Sequence, residues 1–197
     1  MPVTTLQPYG DDMLHDPLHL TLPAWIHAEV DADRRYADQE VRIALAIELS
    51  RLNVARRTGG PFGAAVFDGG GRLLGVGVNR VVPQNCSLAH AEVMALATSQ
   101  QRAQRYRLNE GGERITLAVS SQPCAMCYGA VIWAGVDELL IGARAGDVRS
   151  LAGFDEGPLP ADWIGELARR GIAVQRDLMR DQAREVLRVY GESGIVY

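Results

Sequence analysis

Lysine is missing from this chain: all 20 basic residues are arginine, set against 24 acidic ones for a net charge of −4. The missing lysine reads as coding bias. No dense basic run is present either, which excludes a broad polyphosphate-binding surface as the main feature. Long apolar runs are also lacking, since no window approaches the stretch of about 20 residues that a membrane span requires. The first thirty residues hold Asp11, Asp12, His15 and Asp16 and have no basic start followed by an apolar block. No targeting segment is therefore read, and the expected location is cytoplasmic. Cysteine is scarce. Three cysteines in a reducing compartment exclude a disulfide framework, and the C-x-x-C spacing of Cys124 and Cys127 raises a question of metal or redox chemistry.

What is present suits one α/β domain, residues 37–197, preceded by an N-terminal extension, residues 1–36, that packs on it. Val41, Ala44, Leu45, Leu49 and Leu52 recur at helical spacing within 37–57. Asp68-Gly69-Gly70-Gly71 between "AAVF" and "LLGVGV" predicts an antiparallel hairpin. Residues 89–105 predict a helix, 114–120 a strand, 125–134 a helix and 137–144 a strand. This alternation pairs the last two strands in parallel through a crossover helix, with helices on both faces of the sheet. A Gly/Pro-rich connector, 153–160, precedes a helix at 161–169, a short "IAV" strand and an amphipathic helix at 181–190.

"LAHAEVMAL" sets His90 and Glu92 into an otherwise apolar segment, and "PCAMC" puts Cys124 and Cys127 on one face of a helix start. Thiolates there gain from free N–H groups and the positive end of the helix dipole. Catalytic zinc takes three protein ligands and leaves its fourth position to water; His90, Cys124 and Cys127 supply three. Glu92 beside the metal can take a proton from bound water and deliver it to a leaving group. His-x-Glu, thirty residues, then Pro-Cys-x-x-Cys is the signature of zinc-dependent deaminases. Structural zinc with Cys86 as fourth ligand is the alternative, but it leaves Glu92 without a role, and Cys86 alone reads as a buried thiol. A redox pair leaves His90 unused. "GVGVNR" lacks the third glycine of a dinucleotide loop, and "TGGPFG" lacks the Gly-Lys-Ser/Thr of a P-loop.

With these motifs, residues 37–197 resemble the cytidine deaminase-like superfamily, and within it the branch of guanine and related nucleobase deaminases. The resemblance extends to "GGPFGAAV", "VNRVVP", "CAMCYGAVIWAGV" and the connector "GFDEGP". It implies a three-layer α/β/α fold, Zn2+ as cofactor and a free nucleobase as substrate, guanine first. Cytosine, isoguanine, guanosine or an amino-triazine are the alternatives. It further implies that Asn79 hydrogen-bonds the base, Phe62 walls the pocket, Phe154 stacks on the ring, and Glu156, or else Asp155, acts as second acid/base beside Glu92. Relatives of this branch form dimers whose C-terminal segment crosses to the partner, which would bring Tyr197 over a site. Where the family has Glu before Pro-Cys, Gln122 stands here, which bears on the site's electrostatics and substrate preference. A tRNA adenosine deaminase of the same fold is the runner-up; it would be expected to carry a basic face for phosphates. Neither nucleic acid nor membrane is an expected partner.

Overall fold

A computed structural model describes residues 18–194. Tyr197, and with it any crossing C-terminal segment, lies outside the described residues.

Five strands form one mixed sheet in the order β2-β1-β3-β4-β5. β1 (Gly63–Phe67) pairs antiparallel with both β2 (Leu73–Val78) and β3 (Thr116–Ser121). β3 pairs in parallel with β4 (Glu138–Ala143), and β4 with β5 (Ala173–Gln175). The expected hairpin and parallel crossover are both present. The hairpin turn is held by Asp68, whose carboxylate accepts from the amides of Gly70 and Arg72.

Side chains alternate along the strands, and the alternation sorts them into two cores. Ala65, Phe67, Ala118 and Leu140 face one core, with α2 (Gln39–Ala55) and α7 (Arg180–Glu192). Ala64, Val66, Leu117, Val119, Leu139 and Ile141 face the other, with α3 (Ala91–Ala103) and α4 (Ala125–Ala134). Strands covered on both faces read as continuous apolar runs, and every residue of β1, β3 and β4 is buried. The result is the expected three-layer fold. A short α1 (Ile26–Glu29) carries Ile26 into the first core, where Tyr36 also lies.

α2, α3 and α6 (Trp163–Ala168) are shorter than the segments read from the sequence, α4 coincides with 125–134, and α7 runs beyond 181–190 at both ends. α3 spans Ala91–Ala103, so His90 is its N-cap residue with extended backbone (φ −71°, ψ 155°) and not part of the helix. Two elements have no counterpart in the sequence reading beyond the short α1. These are α5 (Ala145–Ala152) and a 3-10 turn at 108–111. Eight residues with only Val148, Leu151 and Ala152 as an apolar stripe give little periodicity to detect. α6 follows the connector.

Close backbone packing fixes where α3 begins. A Cβ on Gly77 of β2 would meet Ala91 O at 2.0 Å and Ala95 N at 2.4 Å. The absent side chain lets the first turn of α3 lie directly on the sheet, so His90 and Glu92 project near the end of β3.

Candidate active site

The site gathers where chains leave the carboxyl ends of β2 and β3, with the connector that follows α5 closing the third side. Open α/β sheets bind ligands in this position.

His90 and Cys124 are the N-cap residues of α3 and α4. Pro123 ends the extended segment, and Cys124 Sγ accepts from the amide of Cys127 at 3.5 Å. His90 Nδ1 lies 3.6 Å from Sγ of Cys124 and 3.6 Å from Sγ of Cys127. A tetrahedral zinc with bonds of about 2.05 Å to nitrogen and about 2.3 Å to sulfur sets those atoms about 3.6 Å apart. The donor set and its spacing therefore fit the ion, and His90, Cys124 and Cys127 are placed to bind it. Hydrogen bonds from Cys127 and His90 hold the Cys124 thiol down to about 4, while the same contact with Cys124, together with burial, holds Cys127 up. Cys86 is half-buried and outside this group. The closed four-ligand shell raised above is therefore not formed among the described residues.

Glu92 sits in the first turn of α3, 7% exposed. On a longer helix a carboxylate two residues from His90 would diverge from it; with His90 at the cap, both face the same cavity. Burial, then the charge of Cys124, holds the Glu92 carboxyl above the usual carboxylate range. His90 is held above its ordinary value, first by its hydrogen bond with Cys124.

The cavity measures about 320 Å³, near the lower end of the range for ligand pockets. Phe62, Asn79, His90, Glu92, Phe154, Asp155 and Glu156 all line it, with Gln122, Cys124, Ala125 and Met126. Every anticipated site residue within the described range except Cys127 borders the space, and Cys127 is buried beneath it. Phe62 and Phe154 form one wall, ring centroids 5.3 Å apart, with Tyr190 behind Phe154 at 5.8 Å. The carbonyl of Glu156 accepts from the amide of Ala125 at 2.9 Å, which ties the connector to the start of α4. Its carboxyl is pushed up to about 8, first by burial, then by the charges of Glu92 and Cys124. Asp155 is largely exposed and pairs with Arg149. Between the two acids named for the second role, the geometry therefore favours Glu156. Gln122, remarked on only as a departure, accepts from the amide of Ala145 and borders the cavity.

Residues 36–143 match the family described as the cytidine and deoxycytidylate deaminase zinc-binding region. The chain belongs to this deaminase family. The deaminase is a zinc-dependent hydrolase by that membership, and its metal ligands are of the matching kind. It is 44% identical to a structure of guanine deaminase from Nitrosomonas europaea, covering 91% of this chain and 98% of that one with a TM-score of 0.86. It is 33% identical to the guanine deaminase of Bacillus subtilis over 60% of this chain and 72% of that protein. It is also 31% identical to the tRNA-specific adenosine deaminase of Buchnera aphidicola over 59% of this chain and 70% of that protein.

Sequence reasoning missed Asn53 of α2, which is wholly buried and donates to the carbonyls of Gly60 and Asn79. Its signal was available: a polar residue four places after Leu49, on the apolar stripe of its helix.

Proposed function

We propose that this protein deaminates free guanine to xanthine, releasing ammonia. The carrying observation is a small cavity that joins the metal triad to two carboxyls and a Phe62–Phe154 wall. The 44% identity over nearly all of both chains to a guanine deaminase supports guanine as the ring, as does a relative crystallised with 8-azaguanine that covers 90% of this chain.

His90, Cys124 and Cys127 would hold zinc, which when bound would supply a water of pKa lowered to about 7. Glu92 would take one proton from the water beside it through a carboxylate oxygen and hand it to the amine. The water oxygen joins the ring carbon, the carbon–nitrogen bond breaks, and the amine leaves as ammonia; the second water proton stays with the product. Glu156, neutral below about pH 8, is suited to donate a hydrogen bond to the departing nitrogen. Asn79 orients the ring. Its Oδ1 accepts from the amides of Gly60 and Val81, which fixes the side chain at the edge of the cavity. Phe62 and Phe154 cover one face of the ring.

A second reading, deamination of adenosine in tRNA, is favoured by the Buchnera relative. The net charge of −4 speaks against it, because phosphate contacts dominate nucleic-acid affinity. Ammonia release from guanine, isoguanine, cytosine, adenine, guanosine, an amino-triazine and tRNA separates the readings. Guanine is expected to give the highest kcat/KM; a higher value for tRNA would reverse the order. We also propose that the chain works as a homodimer in the cytoplasm, which light scattering and fractionation would test.

A further inference from the structure

Asn79 is held by more than its own strand. The Asn53 amide nitrogen donates to Asn79 O at 2.9 Å and to Gly60 O at 2.8 Å, and Gly60 N returns a bond to Asn79 Oδ1 at 3.3 Å. Asn53 Oδ1 accepts from the Thr58 hydroxyl at 2.7 Å. That hydroxyl in turn accepts from the Trp25 indole N–H at 3.1 Å. The loop is pressed closely on this ring of bonds, since a Cβ on Gly59 would lie 1.8 Å from Asn79 O. Arg80, the next residue after Asn79, donates to the carbonyls of Thr58 and Thr21 and so returns to the N-terminal segment.

We propose that Trp25, Thr58 and Asn53 are positioning residues for Asn79, forming a hydrogen-bonded relay that runs from the N-terminal segment to the base-reading amide. The inference rests on the reading of Asn79 as a base contact. A helix stripe needing only to pack would be served by leucine at position 53. The buried amide there instead satisfies two loop carbonyls, one of them on Asn79 itself, and it is aligned by a hydroxyl that the indole fixes. Small errors in the placing of a substrate-orienting group are costly, so a relay of this kind tunes binding without touching the ring. Residues 21–25 thereby take part in substrate recognition, although they border no part of the cavity.

The test measures KM and kcat for guanine, the Kd of 8-azaguanine and zinc content for the wild type and five variants. These are Thr58→Val, Thr58→Ser, Trp25→Phe, Asn79→Ala and the double variant Thr58→Val/Asn79→Ala. Thr58→Val is expected to raise KM and Kd about 5- to 10-fold, the worth of one net hydrogen bond, with kcat and zinc content unchanged. Thr58→Ser should behave as wild type. Trp25→Phe keeps an aromatic ring, smaller than the indole, and removes the N–H; it should raise KM in the same direction with kcat unchanged, and it carries the test if Thr58→Val fails to fold. In the Asn79→Ala background, Thr58→Val should add nothing, because its effect passes through Asn79. Wild-type KM in both relay variants beside a raised KM in Asn79→Ala overturns the relay alone, as does full additivity in the double variant. A wild-type KM in Asn79→Ala overturns the role of Asn79 and the relay with it.

Discussion

At the scale of single residues, the candidate site brings a buried and a half-buried carboxyl to one cavity. Glu92 is covered by the first turn of α3 and Glu156 by the connector, and each is held above the ordinary carboxylate range. Replacing Glu156 with Ala removes the donor to the departing nitrogen; kcat on guanine should fall about 100-fold with zinc retained. Full turnover on every base tried would withdraw Glu156 as an acid. The metal ligands make a second contrast. Cys86→Ser should keep zinc at one equivalent by atomic absorption, whereas Cys124→Ser should lose most of it. Loss in the Cys86 variant would restore the structural-zinc alternative. His90, Glu92, Cys124 and Cys127 were legible in the sequence because metal chemistry demands fixed residue types at fixed spacing. Asn53 left only a faint mark, one polar residue on an apolar stripe, because its partners are backbone carbonyls, which leave nothing in the identity of the residues that carry them.

Elements bring those residues together, and α5 shows what patterning alone leaves out. Val148 and Ala152 bury its apolar stripe in the first core, and a charge network that no periodicity reveals adds to it. Asp147 is buried, accepts from the amide of Arg144, and pairs with Arg180 and Arg184 of α7. These long-range pairs fix the point from which Phe154 and Glu156 depart. Arg180 first, then the Arg144 amide, hold the Asp147 carboxyl below its ordinary value of 3.8. A carboxyl with a depressed folded value binds protons less readily in the folded state. Its stabilisation is therefore present above pH 3.8 and is lost as pH falls through the lower folded value. Asp147→Asn should cost about 1.5 kcal/mol at pH 7 by urea denaturation, the low end for bonds to a charged group because Arg180 remains partly exposed. The gap between variant and wild type should narrow toward pH 3; an unchanged gap would show that the bridge contributes nothing through its charge. The strands, by contrast, were readable directly, because β1, β3 and β4 each centre on a short apolar run and a glycine-rich turn closes the hairpin. The start of α3 lies inside the segment read from the sequence because a cap residue such as His90 can be apolar-flanked and still extended.

For the whole molecule, a single sheet between two cores carries a small pocket at one end, on a chain that carries net negative charge and, among its described residues, no helix long and apolar enough to cross a membrane. A neutral ring entering such a pocket has little to gain from long-range charge. Raising salt from about 50 mM to 500 mM should leave kcat/KM for guanine within about twofold, whereas a polyanionic substrate would lose orders of magnitude. A steep fall with salt would favour the nucleic-acid reading. The central claim, that Glu92 moves a proton beside a zinc held by His90, Cys124 and Cys127, is tested most directly by steady-state ammonia release from guanine in Glu92→Gln carrying a full equivalent of zinc. The account predicts turnover lower by about 10²- to 10⁴-fold than the wild type; wild-type turnover in that zinc-loaded variant would contradict it.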